Sequence, residues 1–327
     1  MARKKKKIIL LLAGGTLLLD KEAKFLAVQD SLDVDHWLRQ MPELSILADI
    51  EPIFISGEDQ EITPQIWEKI ANKISNNLGN ADGFIVVSKT GQLINTALVL
   101  GFIFQNIKKS IILTCSQISG TDFLNKKEKI NKLKDKHGGL GLRSNLINAL
   151  QITDSKLPGP AIMSGTRLIS AVQAVKNYHD DTNIFASFND AYWGKVGFGI
   201  NIKKDLKHST KQFEIFKKIN SKILILEDFP GVEWSVDREI FKKYQGVIIK
   251  TSAQSIDQNK QKQIASWKLP VVLYNYQGIL SIEGAVVISG CTWSAAVVKT
   301  MWALANFKEL ADFNKVMKQN LIGEFTV

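Results

Sequence analysis

Gly83-Phe84-Ile85-Val86-Val87-Ser88-Lys89-Thr90-Gly91-Gln92 is the passage that decides the fold. Six residues of strand-forming character end in a short polar turn. An apolar run of helical length, residues 93–104, follows at once. Read together they predict strand, turn and helix, with a threonine presented at the carboxyl end of the strand. Backbone N–H groups and the helix dipole favour negative charge at such a turn. An earlier passage repeats the order: residues 8–12 are apolar, and Ala13-Gly14-Gly15-Thr16 follows them.

Working outward, short apolar runs alternate with longer amphipathic ones. Strands are predicted at 8–12, 52–55, 83–87, 110–114, 161–163 and 184–188, with helices between most of them. Thr63-Pro64 opens a helix over 65–78 that sets Trp67, Ile70, Ile74 and Leu78 on one face. Proline in the first turn after a threonine cap is a start signal. This βαβα order predicts an α/β chain with a largely parallel sheet and helices on both faces. A polar stretch at 203–218 reads as a linker. Alternation then resumes: strands at 223–226 and 246–249 around a helix at 237–243, a helix at 257–267, a strand at 270–273, and a helix at 293–307 capped by Thr292. The expected organisation is a larger domain over 7–200, a linker over 201–218 and a smaller α/β domain over 219–327. In such sheets ligands bind beyond the carboxyl ends of the strands, where Thr16 and Thr90 both lie.

Composition narrows the class. The chain has 327 residues, 45% of them hydrophobic, and only seven prolines, which suits a sizeable core and argues against disorder. Two cysteines, Cys115 and Cys291, make no disulfide framework and fit a reducing compartment. Neither has a His or Cys partner at ligand spacing, so neither a zinc site nor any other metal is expected. The start, Arg3-Lys4-Lys5-Lys6-Lys7 before an apolar run, imitates a signal peptide but stops at Gly14-Gly15 with no small-residue cleavage pattern behind it. A buried strand with a solvated basic tail is the reading taken. No stretch approaches the ~20 apolar residues of a membrane span, so no membrane partner is expected and cytoplasmic residence is the default. The net charge is +10, with lysines spread over 3–7, 126–136, 203–218 and 260–262. Aromatic residues do not interleave with them in a nucleic-acid-binding pattern, which argues against a nucleic-acid partner.

At these motifs the chain resembles the bacterial L-asparaginases, nearer the cytoplasmic than the periplasmic type. Ala13-Gly14-Gly15-Thr16-Leu17 resembles the family's Thr-Gly-Gly-Thr-Ile turn. Asp82-Gly83-Phe84 followed by Ser88-Lys89-Thr90-Gly91-Gln92 stands where the family has Asp-Gly-Phe and then His-Gly-Thr-Asp-Thr. Met41-Pro42-Glu43, Ile62-Thr63-Pro64 with Trp67, Ser116-Gln117-Ile118, Leu142-Arg143-Ser144 and the helix of Lys299-Thr300-Met301-Trp302-Ala303-Leu304 extend the resemblance over nearly the whole chain. It implies a two-domain asparaginase-like fold and a threonine nucleophile attacking a side-chain amide. An acyl-enzyme forms, and water then releases aspartate and ammonia. Thr16 matches the nucleophile, and Thr90 the threonine of a Thr-Lys-Asp group. No organic cofactor is implied, and the assembly is a homo-oligomer, dimer or tetramer. The reading without chemistry is that Thr16 caps its turn and Thr90 caps the following helix.

The departures concentrate where the family grips its substrate. Gly91 replaces the aspartate that pairs with the substrate's ammonium; losing one partner of such a buried pair costs about 3–5 kcal/mol. Counting on from Gly194 places Gly199 at the family lysine, with Lys195 and Lys203 nearest; a solvated lysine is the plainer reading of either. Glu58 and Asp59 stand in place of an Asp-Ser pair that holds the substrate's α-carboxylate, and a carboxylate there would repel that group and welcome a cation or amine. The polar run Gly57-Glu58-Asp59-Gln60-Glu61 also reads as a solvated loop. Phe25 replaces a mobile-loop tyrosine, keeping the ring without the hydroxyl, or simply packs. Ser88 precedes the second turn and joins the substrate-facing group. Lys250-Thr251-Ser252-Ala253-Gln254 replaces a Gly-x-Gly-Asn turn, and the family's long C-terminal loop is trimmed.

Three functions follow as expectations. The first is an amidohydrolase acting on a small-molecule amide or amino acid with altered substrate choice. The second is an inactive homologue that binds a small ligand or protein partner. The third is a subunit of a tRNA-dependent amidotransferase.

Overall fold

The computed structural model describes residues 5–325 apart from 20–24, 117–140, 179–182, 198, 235, 237–238, 254 and 277–280. The basic run 126–136, the motif residues Gln117 and Ile118, and part of the expected helix 237–243 therefore lie outside the described residues. Two compact units divide the chain, Met1–Ile215 and Phe216–Val327.

The first unit opens with β1 (Lys7–Ala13), whose last six residues are all buried. A strand apolar without alternation is covered on both faces, as parallel sheets require. A two-residue ribbon follows, β2 (Leu18–Leu19) against β3 (Phe25–Leu26). Helices α1 (Asp33–Arg39) and α2 (Glu43–Leu47) then lead to β4 (Asp49–Ser56). Helix α3 (Pro64–Asn77) buries Trp67, Ile70, Ala71 and Ile74, the stripe expected from its spacing. Thr63 stands at its N-cap position, yet its side chain makes no capping bond, so proline at the first position and the buried stripe carry the start. Next come β5 (Gly83–Ser88), helix α4 (Leu93–Ile103), β6 (Phe104–Gln105), β7 (Ser110–Thr114) and helix α5 (Leu142–Ile152). Strands β8 (Ala161–Ser164), β9 (Arg167–Ser170), β10 (Ala174–Lys176), β11 (Phe185–Ser187), β12 (Gly194–Val196), β13 (Ile200–Ile202) and β14 (Glu214–Ile215) complete the unit.

Eight of these strands form one sheet in the order β13-β12-β9-β8-β7-β5-β1-β4. The pairs β4/β1, β1/β5, β5/β7 and β7/β8 are parallel, and the β9 and β12–β13 edge is antiparallel. The core of one face gathers Leu10, Leu12, Ile85, Val87 and Ile112 against Trp37, Leu146 and Ala149 from the helices. Residues 203–218, expected as a linker, are tied to this unit over much of their length. Strand β14 pairs with β6, and Lys108 Nζ and Asn106 Nδ2 donate to the carbonyls of Ser209 and Gln212.

The second unit is a parallel four-stranded sheet of β15 (Ile223–Asp228), β16 (Gly246–Thr251), β17 (Val271–Asn275) and β18 (Val286–Ile288), in that spatial order. Helices α6 (Gln258–Ser266), α7 (Trp293–Asn306) and α8 (Leu310–Met317) accompany it. Thr292 caps α7 through its hydroxyl, which accepts from Ala295 N–H at 3.2 Å. Inside, Lys299 Nζ donates to Glu324 Oε1 at 2.7 Å, with both side chains at most 1% exposed. No helix among the described residues is long and apolar enough to cross a membrane.

Candidate active site

The glycine turn after β1 is a conformational necessity. Gly14 and Gly15 have φ of +74° and +68°, where an L side chain is strained. A Cβ on Gly15 would stand 2.0 Å from the Ser88 carbonyl oxygen, so the turn after β1 rests directly on the end of β5. Gly14 N–H donates to Ser56 O, and Gly15 O accepts from Ser116 N–H at 3.0 Å. Three strand ends thus lock the backbone that carries Thr16.

Thr16 is fully buried. Its hydroxyl oxygen accepts from Val28 N–H at 2.9 Å, and the hydroxyl donates to Glu58 Oε2 at 3.3 Å. The backbone N–H of Thr16 donates to the same carboxylate oxygen at 3.1 Å, and its carbonyl accepts from Trp37 Nε1 at 2.8 Å. The Val28 bond uses a lone pair of the hydroxyl and leaves its proton directed at Glu58. None of these bonds closes Thr16's own turn, so the turn-capping alternative does not describe this hydroxyl. Glu58 is positioned in turn by Gln29, whose Oε1 accepts from Glu58 N–H at 3.1 Å.

Glu58 and Asp59 are separated in role. Glu58 is half-buried and bonded to Thr16; Asp59 is exposed and belongs to the solvated loop. Thr90 opens a single 3₁₀ turn, Thr90–Gln92, and Lys89 takes the cap position without a side-chain bond. The Thr90 hydroxyl donates to Ser116 O at 2.7 Å, so it is not the helix cap of the alternative reading. It braces Ser116, whose N–H holds Gly15. Burial pushes the neighbouring Cys115 thiol up to about 12, with a bond from Thr90 opposing. Ser88 is fully buried at the end of β5, and its hydroxyl has no partner among the described residues. Gly91 is exposed, and a Cβ there would meet open space. The backbone of Phe25 pairs with Leu19 in the β2–β3 ribbon. Its neighbours Ala23 and Lys24 lie outside the described residues.

The lysines proposed from sequence counting are solvated. Lys195 and Lys203 are exposed, and Gly199 sits in the turn of the β12–β13 hairpin. A different lysine is near the site. A Cβ on Gly14 would stand 2.8 Å from Lys89 Cγ and 3.1 Å from its Cε, so the Lys89 arm lies flat across Gly14. Sequence reasoning missed the roles of Lys89, Gln29, Val28 and Trp37. Only Lys89, standing inside the quoted turn, carried a signal.

Residues 7–131 match the family model described as Asparaginase, N-terminal. A glutamyl-tRNA(Gln) amidotransferase subunit from Pyrococcus abyssi is 22% identical over 92% of this chain and 72% of its own length. L-asparaginase 1 of Escherichia coli K12 is 23% identical over 88% of this chain and 86% of its own. Among solved structures, L-asparaginase I from Vibrio cholerae superposes with a TM-score of 0.77 at 23% identity, covering 99% of this chain and 100% of that one. The thermostable L-asparaginase from Thermococcus kodakarensis gives 0.75 at 19% identity, covering 98% and 99%. The fold is asparaginase-like, and the N-terminal residues 7–131 are similar to the asparaginase family's N-terminal domain.

Proposed function

We propose that the protein is an amidohydrolase of small linear amides, with Thr16 as nucleophile and Glu58 as its base. One observation carries the reading: the Thr16 hydroxyl is held between Val28 N–H at 2.9 Å and Glu58 Oε2 at 3.3 Å. A hydroxyl is a poor nucleophile unless a base within hydrogen-bond reach takes its proton. Here Glu58 accepts that proton as Thr16 Oγ1 attacks the amide carbon, and returns it to the departing ammonia. Water then attacks the ester and gives a proton to Glu58, which passes it to the departing Thr16 Oγ1, freeing the carboxylic acid and restoring both Thr16 and Glu58. Glu58 thereby moves from the substrate-gripping role expected of it to the reacting pair. Thr90 acts at one remove, through Ser116 and Gly15. The homo-oligomer implied by the resemblance is kept as part of the proposal and is read by light scattering on the purified chain.

The test is ammonia release from asparagine, glutamine and dicarboxylic acid monoamides. Wild-type protein releases ammonia from at least one of them, and Thr16→Ala does not. Equal release by the two proteins would overturn the reading.

A second reading, an inactive ligand-binding homologue, is favoured by the complete burial of Thr16, which leaves its hydroxyl out of contact with solvent. Thermal-shift gains without turnover would select it. A third, an amidotransferase subunit, draws on relatives carrying that printed name. A salt-sensitive mobility shift with tRNA would favour it.

A further inference from the structure

We infer that Lys89 is the specificity-determining residue of this site. Its ammonium holds the carboxylate of the substrate, which is a monoamide of a dicarboxylic acid that needs no α-ammonium group. The inference rests on the amidohydrolase reading for its substrate class, though not for the binding of the anion itself.

Four observations converge. First, both Cγ and Cε of Lys89 crowd the one point where Gly14 lacks a Cβ, at 2.8 and 3.1 Å, with Gly57 O at 3.5 Å from the same point. The arm is therefore laid across the turn that carries Thr16 and towards the loop that carries Glu58. A lysine held along its aliphatic stem loses less rotamer freedom on binding than a free surface lysine. Second, Lys89 is half-buried, and no carboxylate stands within 4.0 Å of its ammonium among the described residues. The charge is in place without an ion-pair partner among them.

Third, one oxygen of the carboxylate beside Thr16 is already engaged by Thr16 itself. One oxygen of Glu58 accepts from both the N–H and the hydroxyl of Thr16. An incoming ammonium would compete with those bonds. Gly91 offers no side chain at all, and Asp59 is exposed, where solvent and salt screen it. Fourth, the turn supplies a further group for an anion. The Ser88 hydroxyl is buried and has no hydrogen-bond partner among the described residues. Among the described residues the charge pattern is thus an unpaired cation and an engaged anion, both reaching the turn that carries Thr16. A short chain with a carboxylate at one end and an amide at the other fits both. This reverses the expectation from Glu58 and Asp59 that the pocket favours an amine.

The experiment compares succinamate, L-asparagine and L-asparaginamide as substrates, and succinate as a non-reacting probe. Each is measured on wild-type protein, Lys89→Met and Lys89→Arg. Methionine preserves an unbranched arm against Gly14 and removes the charge; should it fold poorly by thermal melt, Lys89→Gln replaces it. Expected are kcat/KM for succinamate at or above that for asparagine, and no turnover of asparaginamide. Lys89→Met is expected to raise KM for succinamate about 10- to 100-fold at nearly constant kcat, with partial rescue by arginine. An unchanged KM in Lys89→Met, a loss confined to kcat, or a clear preference for asparagine over succinamate overturns the inference. Calorimetric binding of succinate separates the two claims. Lys89-dependent binding without ammonia release from any amide sinks the amidohydrolase reading and leaves the anion site standing. Ammonia release with succinate binding indifferent to Lys89 does the opposite.

Discussion

Each unit of this protein places a threonine hydroxyl against a carboxylate at the carboxyl ends of parallel strands, and the two pairs differ in their third partner. In the second unit Thr251 Oγ1 donates to Asp228 Oδ2 at 3.0 Å, while Asp228 Oδ1 accepts from Lys260 Nζ at 2.7 Å. That lysine sits 5.1 Å from the Trp234 ring centroid, and the ion pair is only 11% and 7% exposed. The Thr251 hydroxyl also accepts from Ala253 N–H. Both charges are matched, so the cluster is a closed structural knot. In the first unit Thr16 and Glu58 make the same hydroxyl–carboxylate contact, with no lysine on the carboxylate among the described residues. Lys89 packs against Gly14 and makes no ion pair with Glu58. The chemical pair is the same. The difference is that a lysine neutralises the carboxylate in the second unit and none does so among the described residues in the first, which under the proposed function leaves Glu58 free to take a proton.

Variants can break that comparison from either side. The largest expected effect is Glu58→Gln, which keeps an acceptor for Thr16 and removes the base. It should lower kcat for amide hydrolysis by about 10²- to 10⁴-fold while shifting the thermal midpoint little. A fall in stability with activity retained would show that Glu58 is structural, like Asp228. Next is Asp228→Asn, which strands the buried Lys260 charge. It should destabilise the protein by about 3–5 kcal/mol in urea titration and leave kcat per folded molecule unchanged. Loss of turnover in a folded Asp228→Asn protein would erase the distinction between the two clusters.

Gly15→Ala sharpens the picture of the first unit. Its φ of +68° and the 2.0 Å approach of a Cβ to Ser88 O demand backbone displacement. A loss of about 1–3 kcal/mol, accompanied by loss of activity, is expected. The smallest effect is on the thiols. Burial pushes both Cys115 and Cys291 up to about 12. Raised values mean that the thiolate is scarce below that pH; at pH 8 roughly one molecule in 10⁴ carries it. Labelling by a thiol reagent should therefore follow unfolding, and fast labelling of the native protein would show that the strand end carrying Cys115 opens.

Much of the fold is legible because its elements are separated by run length. Residues 110–114 and 83–88 are short, apolar and punctuated by polar turns, and they are buried strands. The helix after Thr292 declares itself through a cap and a periodic apolar face. Helix α1 does not, since Asp33–Arg39 has just Val34 and Trp37 buried, too few to register as a period. Strand β14 escapes for a related reason. Glu214 and Ile215 are both exposed, and their pairing with Phe104 and Gln105 is a tertiary event with no local signature.

The site is legible only in part. Glycines before Thr16 and the strand–turn–helix around Thr90 mark two places where chemistry would sit. The bond between Thr16 and Glu58 joins residues 42 positions apart and depends on β4 lying beside β1. Glu58 and Asp59 read alike in a polar run, and folding turns one inward and leaves the other in solvent. Lys89 carries little signal of its own, because a lysine after a strand ordinarily reads as a solvated end. Its contact with Gly14 exists only because two turns from different strands meet.

The most direct measurement is the covalent intermediate itself. Protein mixed with succinamate or asparagine is quenched in acid, digested and weighed. The account predicts that the peptide containing Thr16 gains the acyl group as an ester, and that Thr16→Ala gains nothing and releases no ammonia. Ammonia release with the acyl group on another residue, or with no adduct and full activity in Thr16→Ala, would contradict it.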